Sequence, residues 1–204
     1  MVVLVALGNV AVTVHALMEV EVLDRKRRQH ERVSEFEATH DALTMLPNRR
    51  LFDFASEHEF ARSQRFGSKL SLVMLDVDHF KSVNDKYGHQ TGDRVLKAIG
   101  RILTDNCREV DIVSRHGGEE FVVLFPDTDL AGAFHCAEKL RCAVSSATQQ
   151  SAEGAVFAVT VSAGVAERSK TDENIKMILR RADWAMYAAK AAGRDQTCRT
   201  PNAA

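Results

Sequence analysis

The chain has 204 residues, a formal net charge of −1 and a hydrophobic share of 45%. That length holds one sizeable domain with its own core plus a short additional element. The absence of a basic excess argues against non-specific binding to long nucleic acids, so phosphate recognition must be local, through metal ions or a few well-placed cations. Cys107, Cys136, Cys142 and Cys198 show neither CxxC nor Cys/His metal spacing, and reduced thiols in an intracellular setting are the plain reading.

Residues 1–18, MVVLVALGNVAVTVHALM, form the most apolar stretch, interrupted by Asn9, Thr13 and His15. The stretch is slightly short of the about 20 apolar residues that a membrane helix needs. Arg25, Lys26, Arg27 and Arg28 follow it, as they would on the cytoplasmic side of such a helix. A buried or dimer-packed helix of a sensor domain fits equally well. A cleavable signal peptide fits worse, because the basic residues follow the apolar run. Residues 19–39 are charged and free of Gly and Pro, with Val22, Val33 and Phe36 among polar neighbours, which predicts a helical connector with the option of a short coiled coil.

Pro47 and Asn48 break that pattern, and Asn48 is placed to cap a helix running to about Phe66. LSLVMLDVD (70–78) reads as a buried strand ending in acids. Helices near 79–86 and 91–106 are predicted on either side of a turn, YGHQTGD. DIVSRHGGEEFVVLF (111–125) reads as two strands joined across Gly117 and Gly118, a hairpin signal. Residues 130–147 are predicted helical, 155–166 a strand and 172–192 a helix, with 151–154 as loop and 197–204 as tail. Strands mixed with helices in this order predict an α/β (α+β) sandwich around a central mixed, largely antiparallel sheet of about five strands.

Asp76 ends a strongly apolar strand, where a carboxylate needs compensation by a metal, a cation or a functional cleft. Glu119 and Glu120 follow two glycines that would let a bulky substrate approach the backbone. Three carboxylates at neighbouring strand ends form an oxygen set suited to Mg²⁺, which takes few carboxylates plus phosphate oxygens and water. The competing structural reading pairs Asp76 with Arg115, leaves the glutamates on a solvated turn, and uses Asp78 to cap the helix that begins near His79. The residues alone leave these two readings close to even.

DALTMLPNRR (41–50), DVDHFKSVNDKYGHQTGD (76–93), RHGGEEF (115–121) and ADWAMYAAKAAGR (182–194) together resemble the GGDEF-domain diguanylate cyclases, in that family's order and spacing. The resemblance covers about residues 39–198, leaving 1–38 as an apolar segment and helical connector and 199–204 as a tail. It implies an enzyme that condenses two GTP molecules into cyclic di-GMP with Mg²⁺ or Mn²⁺, two ions per half-site. Asp76 inherits the role of metal ligand and Val77 contributes only its backbone carbonyl. Glu119 is expected to bind metal and help deprotonate the attacking 3′-hydroxyl, and Glu120 to hold a second metal. Lys81 becomes a stabiliser of transition-state charge, Asn84 and Asp93 the guanine readers, and His89 a nucleotide contact, with a packing or turn-stabilising role as the alternative for His89. Lys190 and Arg194, four apart and so expected on one face of the last helix, would converge on the β- and γ-phosphates. Without the motif, Lys81 and the Lys190/Arg194 pair would read as ordinary solvated helix cations.

REVD (108–111) matches the RxxD pattern that the family places before the hairpin as a site of product inhibition. Arg108 would stack on guanine or fork onto its Hoogsteen edge while Asp111 accepts from the other edge, and a surface salt bridge is the competing reading. Lys139 stands where family members often carry an arginine, and lysine lacks the planar fork. One domain holds one GTP, so the chemistry implies a homodimer with facing half-sites. The partners implied are therefore GTP, cyclic di-GMP and a second copy, with an upstream sensor domain or a membrane anchor. The catalytic domain is expected in the cytoplasm, tethered to the inner membrane if residues 1–18 span it. A catalytically silent receptor for cyclic di-GMP or GTP, a cyclase with another product and a pure dimerisation module are the rival readings. The intact GGEEF, Asp76 and Lys81 count against the receptor.

Overall fold

The structure is a computed structural model that describes Met18, Glu21, residues 23–30 and residues 36–200. The chain divides into two units between Thr39 and His40. In the first, residues 23–30 are helical, and Arg25 and Arg28 reach back one turn to Glu21 and Asp24 at 2.7 and 2.6 Å. Val22, Val33 and residues 1–17 lie outside the described residues. Among the described residues no helix is long and apolar enough to cross a membrane.

The second unit begins with α1 (Arg49–Phe66), β1 (Leu70–Val77), α2 (Phe80–Tyr87), α3 (His89–Asn106), β2 (Ile112–Gly117) and β3 (Glu120–Pro126). It continues with α4 (Leu130–Ser146), β4 (Gln149–Gln150), β5 (Val156–Phe157), β6 (Val161–Glu167), α5 (Ile175–Ala191) and β7 (Thr197–Arg199). Asn48 caps α1 as predicted, its side chain accepting from the Leu51 amide at 3.1 Å, and Gly67 ends the helix in left-handed backbone at φ 68°. The five-stranded sheet has the order β2-β3-β1-β6-β7; β1 runs antiparallel to both neighbours, and β6–β7 is the parallel pair.

All eight residues of β1 are buried, because both faces of the sheet are covered. Val73, Leu75 and Val77 point into the core shared with α2, α3 and α4, where Leu96, Ile99, Leu103 and Leu140 meet them. Leu70, Leu72 and Met74 point to the other side, against Phe52 and Phe60 of α1 and Ile178 and Met186 of α5. Each such side chain contributes about 1.5–3 kcal/mol on full burial. Alternation therefore assigns Asp76 to the face covered by α1 and α5. α5 lies close on β6 there: a Cβ on Gly164 would collide with the backbone of Ala182 and Met186.

Four expectations are corrected. Residues 197–199, expected as tail, form edge strand β7 beside Ala163, Gly164 and Val165; backbone pairing holds them, so no apolar run announces them. The strand expected over 155–166 is broken at 158–160. Its first part, β5, pairs with β4 in a separate hairpin whose loop includes 151–154. Only Gly88 separates α2 from α3, so His89 and Asp93 lie in the first turns of α3 rather than in a turn. The last helix begins at Ile175 rather than 172, and Asp172 lies ahead of it, paired with Arg181 at 2.7 Å and accepting from the Ser169 amide at 2.7 Å.

Candidate active site

The site forms where β1, the β2–β3 turn and the last turn of α5 meet. Asp76 is 6% exposed, and its Oδ2 accepts an ion pair from Lys190 Nζ at 2.8 Å. Burial pushes the Asp76 carboxyl up, more than Lys190 draws it down, with the neighbouring Asp78 charge adding to the rise. The expected alternative partner, Arg115, is committed elsewhere. Its guanidinium binds Asp41 at 2.9 and 3.0 Å and the Gly118 carbonyl at 2.6 Å, bracing the hairpin turn from the far side. Arg115 points away because it pairs with Phe121 on β3, one register step from the Asp76–Glu120 pair, and successive positions face opposite sides of a sheet.

Glu120 sits directly across from Asp76 in the antiparallel ladder, so both carboxylates share a face. Gly118 takes left-handed backbone at φ 53°, which closes the turn before Glu119. The Glu119 carbonyl accepts from the Val77 amide at 3.3 Å, tying that turn to the end of β1. Burial and then the Asp76 charge push the Glu119 carboxyl up; burial, Asp76 and Asp183 do the same to Glu120. Among the described residues no three His, Cys, Asp or Glu side chains converge closely enough to hold an ion by themselves. The arrangement is thus an oxygen-rich, half-buried anionic pocket with one ammonium in it, to which a substrate would bring the remaining ligands.

Sequence reasoning missed Asp183, whose charge acts on both Glu120 and His116. The available signal was its position seven residues before Lys190, which puts both on one face of α5. Asp78 does not cap α2. It is 5% exposed and accepts from the Ser162 and Thr160 hydroxyls at 2.6 and 2.7 Å, while His79 precedes the helix in left-handed backbone.

Lys81 is the second residue of α2 and is exposed. Asn84 is half-buried over the first turn of α3: a Cβ on Gly92 would run into its Oδ1 and lie 3.0 Å from its Cγ. Asp93, one residue on, and His89 at the helix start are exposed. Lys190 lies in the last turn of α5, but Arg194 does not share its face. The helix ends at Ala191, and Arg194 follows in left-handed backbone at φ 65°. Its positive charge nevertheless acts on Asp76.

At the other end of β2, Arg108 and Asp111 close on each other: guanidinium and carboxylate meet at 2.7 Å, and the Arg108 amide also donates to the carboxylate at 2.8 Å. Arg108 further donates to the Thr128 hydroxyl at 2.9 Å. The pair borders an open hollow of about 380 Å³ walled by Leu46, Pro47, Ile112 and Val113. Lys139 lies alongside, its Nζ 3.5 Å from the Asn106 carbonyl. Burial pushes the Cys107 thiol at this edge up to about 12, and all four cysteines are free thiols.

Residues 38–196 match the family described as Diguanylate cyclase, GGDEF domain. The chain belongs to the GGDEF family. Over 156 residues this GGDEF domain is 43% identical to the diguanylate cyclase DgcP of Pseudomonas aeruginosa, covering 76% of the chain and 23% of that relative. It is 40% identical over 159 residues to the response regulator PleD of Caulobacter vibrioides, covering 78% of the chain and 35% of PleD. The chain therefore spans about a third or less of the length of these two relatives. The crystal structure of the coiled coil and GGDEF domain of DgcB from Caulobacter crescentus, in complex with c-di-GMP, superposes with a TM-score of 0.84 at 32% identity. That alignment covers 90% of this chain and 97% of the DgcB chain. The mixed five-stranded sheet with helices on both faces is thus the GGDEF fold.

Proposed function

We propose that this GGDEF domain is a diguanylate cyclase, joining two GTP molecules into cyclic di-GMP and releasing two pyrophosphates. The observation that carries the reading is the convergence of Asp76, Glu120 and Lys190 at the end of the central strand, beside the Gly118–Glu119 turn. Carboxylates that burial and mutual repulsion hold above their ordinary range fit a divalent cation, and oxygen donors of this kind fit Mg²⁺ or Mn²⁺. Asp76, the Val77 carbonyl, Glu119 and Glu120 would hold two such ions, which supply charge neutralisation at the triphosphate and acidify the attacking hydroxyl.

The chain's own groups do the rest. Asp93 accepts from N1–H and N2–H of guanine, and Asn84 reads the same base from the neighbouring helix, with His89 against the nucleotide. Lys190 and Arg194 take the β- and γ-phosphate oxygens, and Lys81 stabilises charge that grows on the transferring phosphoryl group. Glu119 accepts the proton of the 3′-hydroxyl. That oxygen then bonds to the α-phosphorus of the GTP held by a second copy, and pyrophosphate leaves. Repeating the step from the second copy closes the ring, so two half-sites must face each other.

Product inhibition belongs to the same reading: Arg108 and Asp111, with Lys139 beside them, would open from their mutual pair to take guanine from cyclic di-GMP. The reading places the domain in the cytoplasm, where GTP is, with residues 1–18 as tether or sensor contact. The test is to incubate the purified chain with GTP and Mg²⁺ and identify products by mass. Cyclic di-GMP and pyrophosphate are expected. A demonstrated dimer that binds GTP without turnover would replace the enzyme with a receptor.

A further inference from the structure

Asp78, the second aspartate of the DVDHF segment, has no role in the chemistry above, yet it is buried and its carboxylate takes three donors. Ser162 Oγ donates to Oδ1 at 2.6 Å, while Thr160 Oγ1 and the Asp195 amide donate to Oδ2 at 2.7 and 3.1 Å. The Asp78 amide returns a bond to the Thr160 carbonyl at 2.9 Å. Asp195 is the second of two consecutive non-glycine residues in left-handed backbone, Arg194 at φ 65° and Asp195 at φ 44°. Such a turn persists only where its surroundings impose it.

Several bonds fasten this turn to α5, α4 and β6. Arg194 N and Gln196 Nε2 both donate to the Ala189 carbonyl at 3.0 Å, Arg141 pairs with Asp195 at 2.7 Å, and Ala163 N donates to Gln196 O at 3.0 Å. Among the described residues, the Asp78 bond is the direct hydrogen bond from the turn to the end of β1, two residues past Asp76. Since β1 carries the anionic site and the turn carries Arg194, this contact links the two directly, whereas the bond to Gln196 reaches β1 only through β6.

We infer that Asp78 is a positioning residue: its carboxylate clamps the Arg194–Asp195 turn to the end of β1 and so sets where the Arg194 guanidinium meets the triphosphate. This inference rests on the proposed reading of Arg194 as a phosphate ligand. A side chain with two acceptor oxygens is needed because two hydroxyls and a backbone amide arrive together, the Ser162 hydroxyl at one oxygen and the Thr160 hydroxyl and Asp195 amide at the other.

The test compares Asp78→Ala with Asp78→Asn in the full chain. Asparagine loses the charge but keeps an oxygen for the Asp195 amide, its NH2 donating to the Ser162 hydroxyl; alanine loses both charge and acceptor. Asp78→Ala is expected to raise KM for GTP by about tenfold, with Asp78→Asn restoring it to within about threefold of wild type. In an Arg194→Ala background, Asp78→Ala should add less than about twofold, because both changes remove one interaction. Hydrogen exchange of the Asp195 amide should quicken in Asp78→Ala and stay protected in Asp78→Asn. Full additivity with Arg194→Ala, or an asparagine variant as impaired as the alanine one, would overturn the clamp. An Arg194→Ala variant with unchanged KM would overturn the phosphate reading instead, and the Asp195 exchange then decides the clamp by itself. Should Asp78→Ala fail to fold, Asp78→Leu, which fills the volume without an acceptor, carries the same expectations.

Discussion

Lys190 Nζ stands 2.8 Å from Asp76 Oδ2, joining the last turn of α5 to the end of the central strand. The pair is not the source of the fold's stability. Burial holds the Asp76 carboxyl above its ordinary range despite the ammonium, so the folded chain tolerates this charge rather than gaining from it. Asp76→Asn should therefore cut turnover by about 10²-fold or more while leaving the thermal midpoint near or above that of wild type. Pyrophosphate release from GTP and a melting curve on one preparation check both halves. Near-wild-type turnover would remove Asp76 from the chemistry.

Gly92→Ala should impair base recognition without unfolding the domain. The new Cβ would meet Asn84 Oδ1, the free end of a half-buried side chain, which can swing away where backbone could not. The new Cβ would also lie 3.1 Å from the tip of the buried Phe80 ring, so a modest loss of stability accompanies the expected KM for GTP raised by roughly tenfold, the loss of about one hydrogen bond to the base. Asn84→Ala in the same background should add little. A variant with an unchanged KM would show that Asn84 does not read the base.

Arg108→Ala should keep the initial rate and lose the slowdown as cyclic di-GMP accumulates. Arg108 is more than half exposed but the Asp111 carboxylate it pairs with is buried, so the variant leaves that carboxylate with the Arg108 amide and should also lose some stability, which a melting curve reads separately from the rate. Titration calorimetry with cyclic di-GMP separates the two readings of this pair. Equal affinity in wild type and variant would leave it a surface salt bridge.

His116 links stability to pH. Burial and then the positive charge of Arg49 hold its imidazole below the ordinary value of 6.5, against the weaker pull of Asp53 and Asp183. Among the described residues its Nδ1 is buried without a hydrogen-bond partner, and its ring packs at right angles to Phe52 with centroids 6.1 Å apart. The unfolded chain therefore takes up the proton first, and stability falls as pH drops through about 6.5 towards the folded value. Between pH 7.5 and 5.5 the thermal midpoint of His116→Gln should fall less than that of wild type. Equal falls would assign the pH dependence to other groups.

Elements with an apolar period were legible, and so were caps made by side chains. Helix α1 from its Asn48 cap to Phe66, strand β1 and the β2–β3 hairpin appear where patterning puts them. Strand β7 was not legible, because Thr197–Arg199 is held by parallel backbone bonds to β6, and main-chain pairing leaves no mark on side-chain pattern. Arg194 was misplaced for a related reason. Spacing of four implies a shared face only while the helix lasts, and this one ends at Ala191.

The sequence by itself determined which residues are candidates for the proposed chemistry: the acids at the strand end, the glycines before Glu119 and the cations after ADWAMY sit in motifs whose order survives without coordinates. Which of those residues meet was decided only by the tertiary structure. Alternation along β1 turned Asp76 towards α5, the ladder set Glu120 opposite it, and Gly164 let that helix lie close enough for Lys190 to arrive. The same packing sent Arg115 to Asp41 and Asp78 to Ser162, Thr160 and Asp195, partners as many as 117 positions away in sequence. Local pattern records periodicity and capping, which act over a few residues. Charge pairing across a sheet depends on register and on helix-to-sheet distance, which no local pattern encodes.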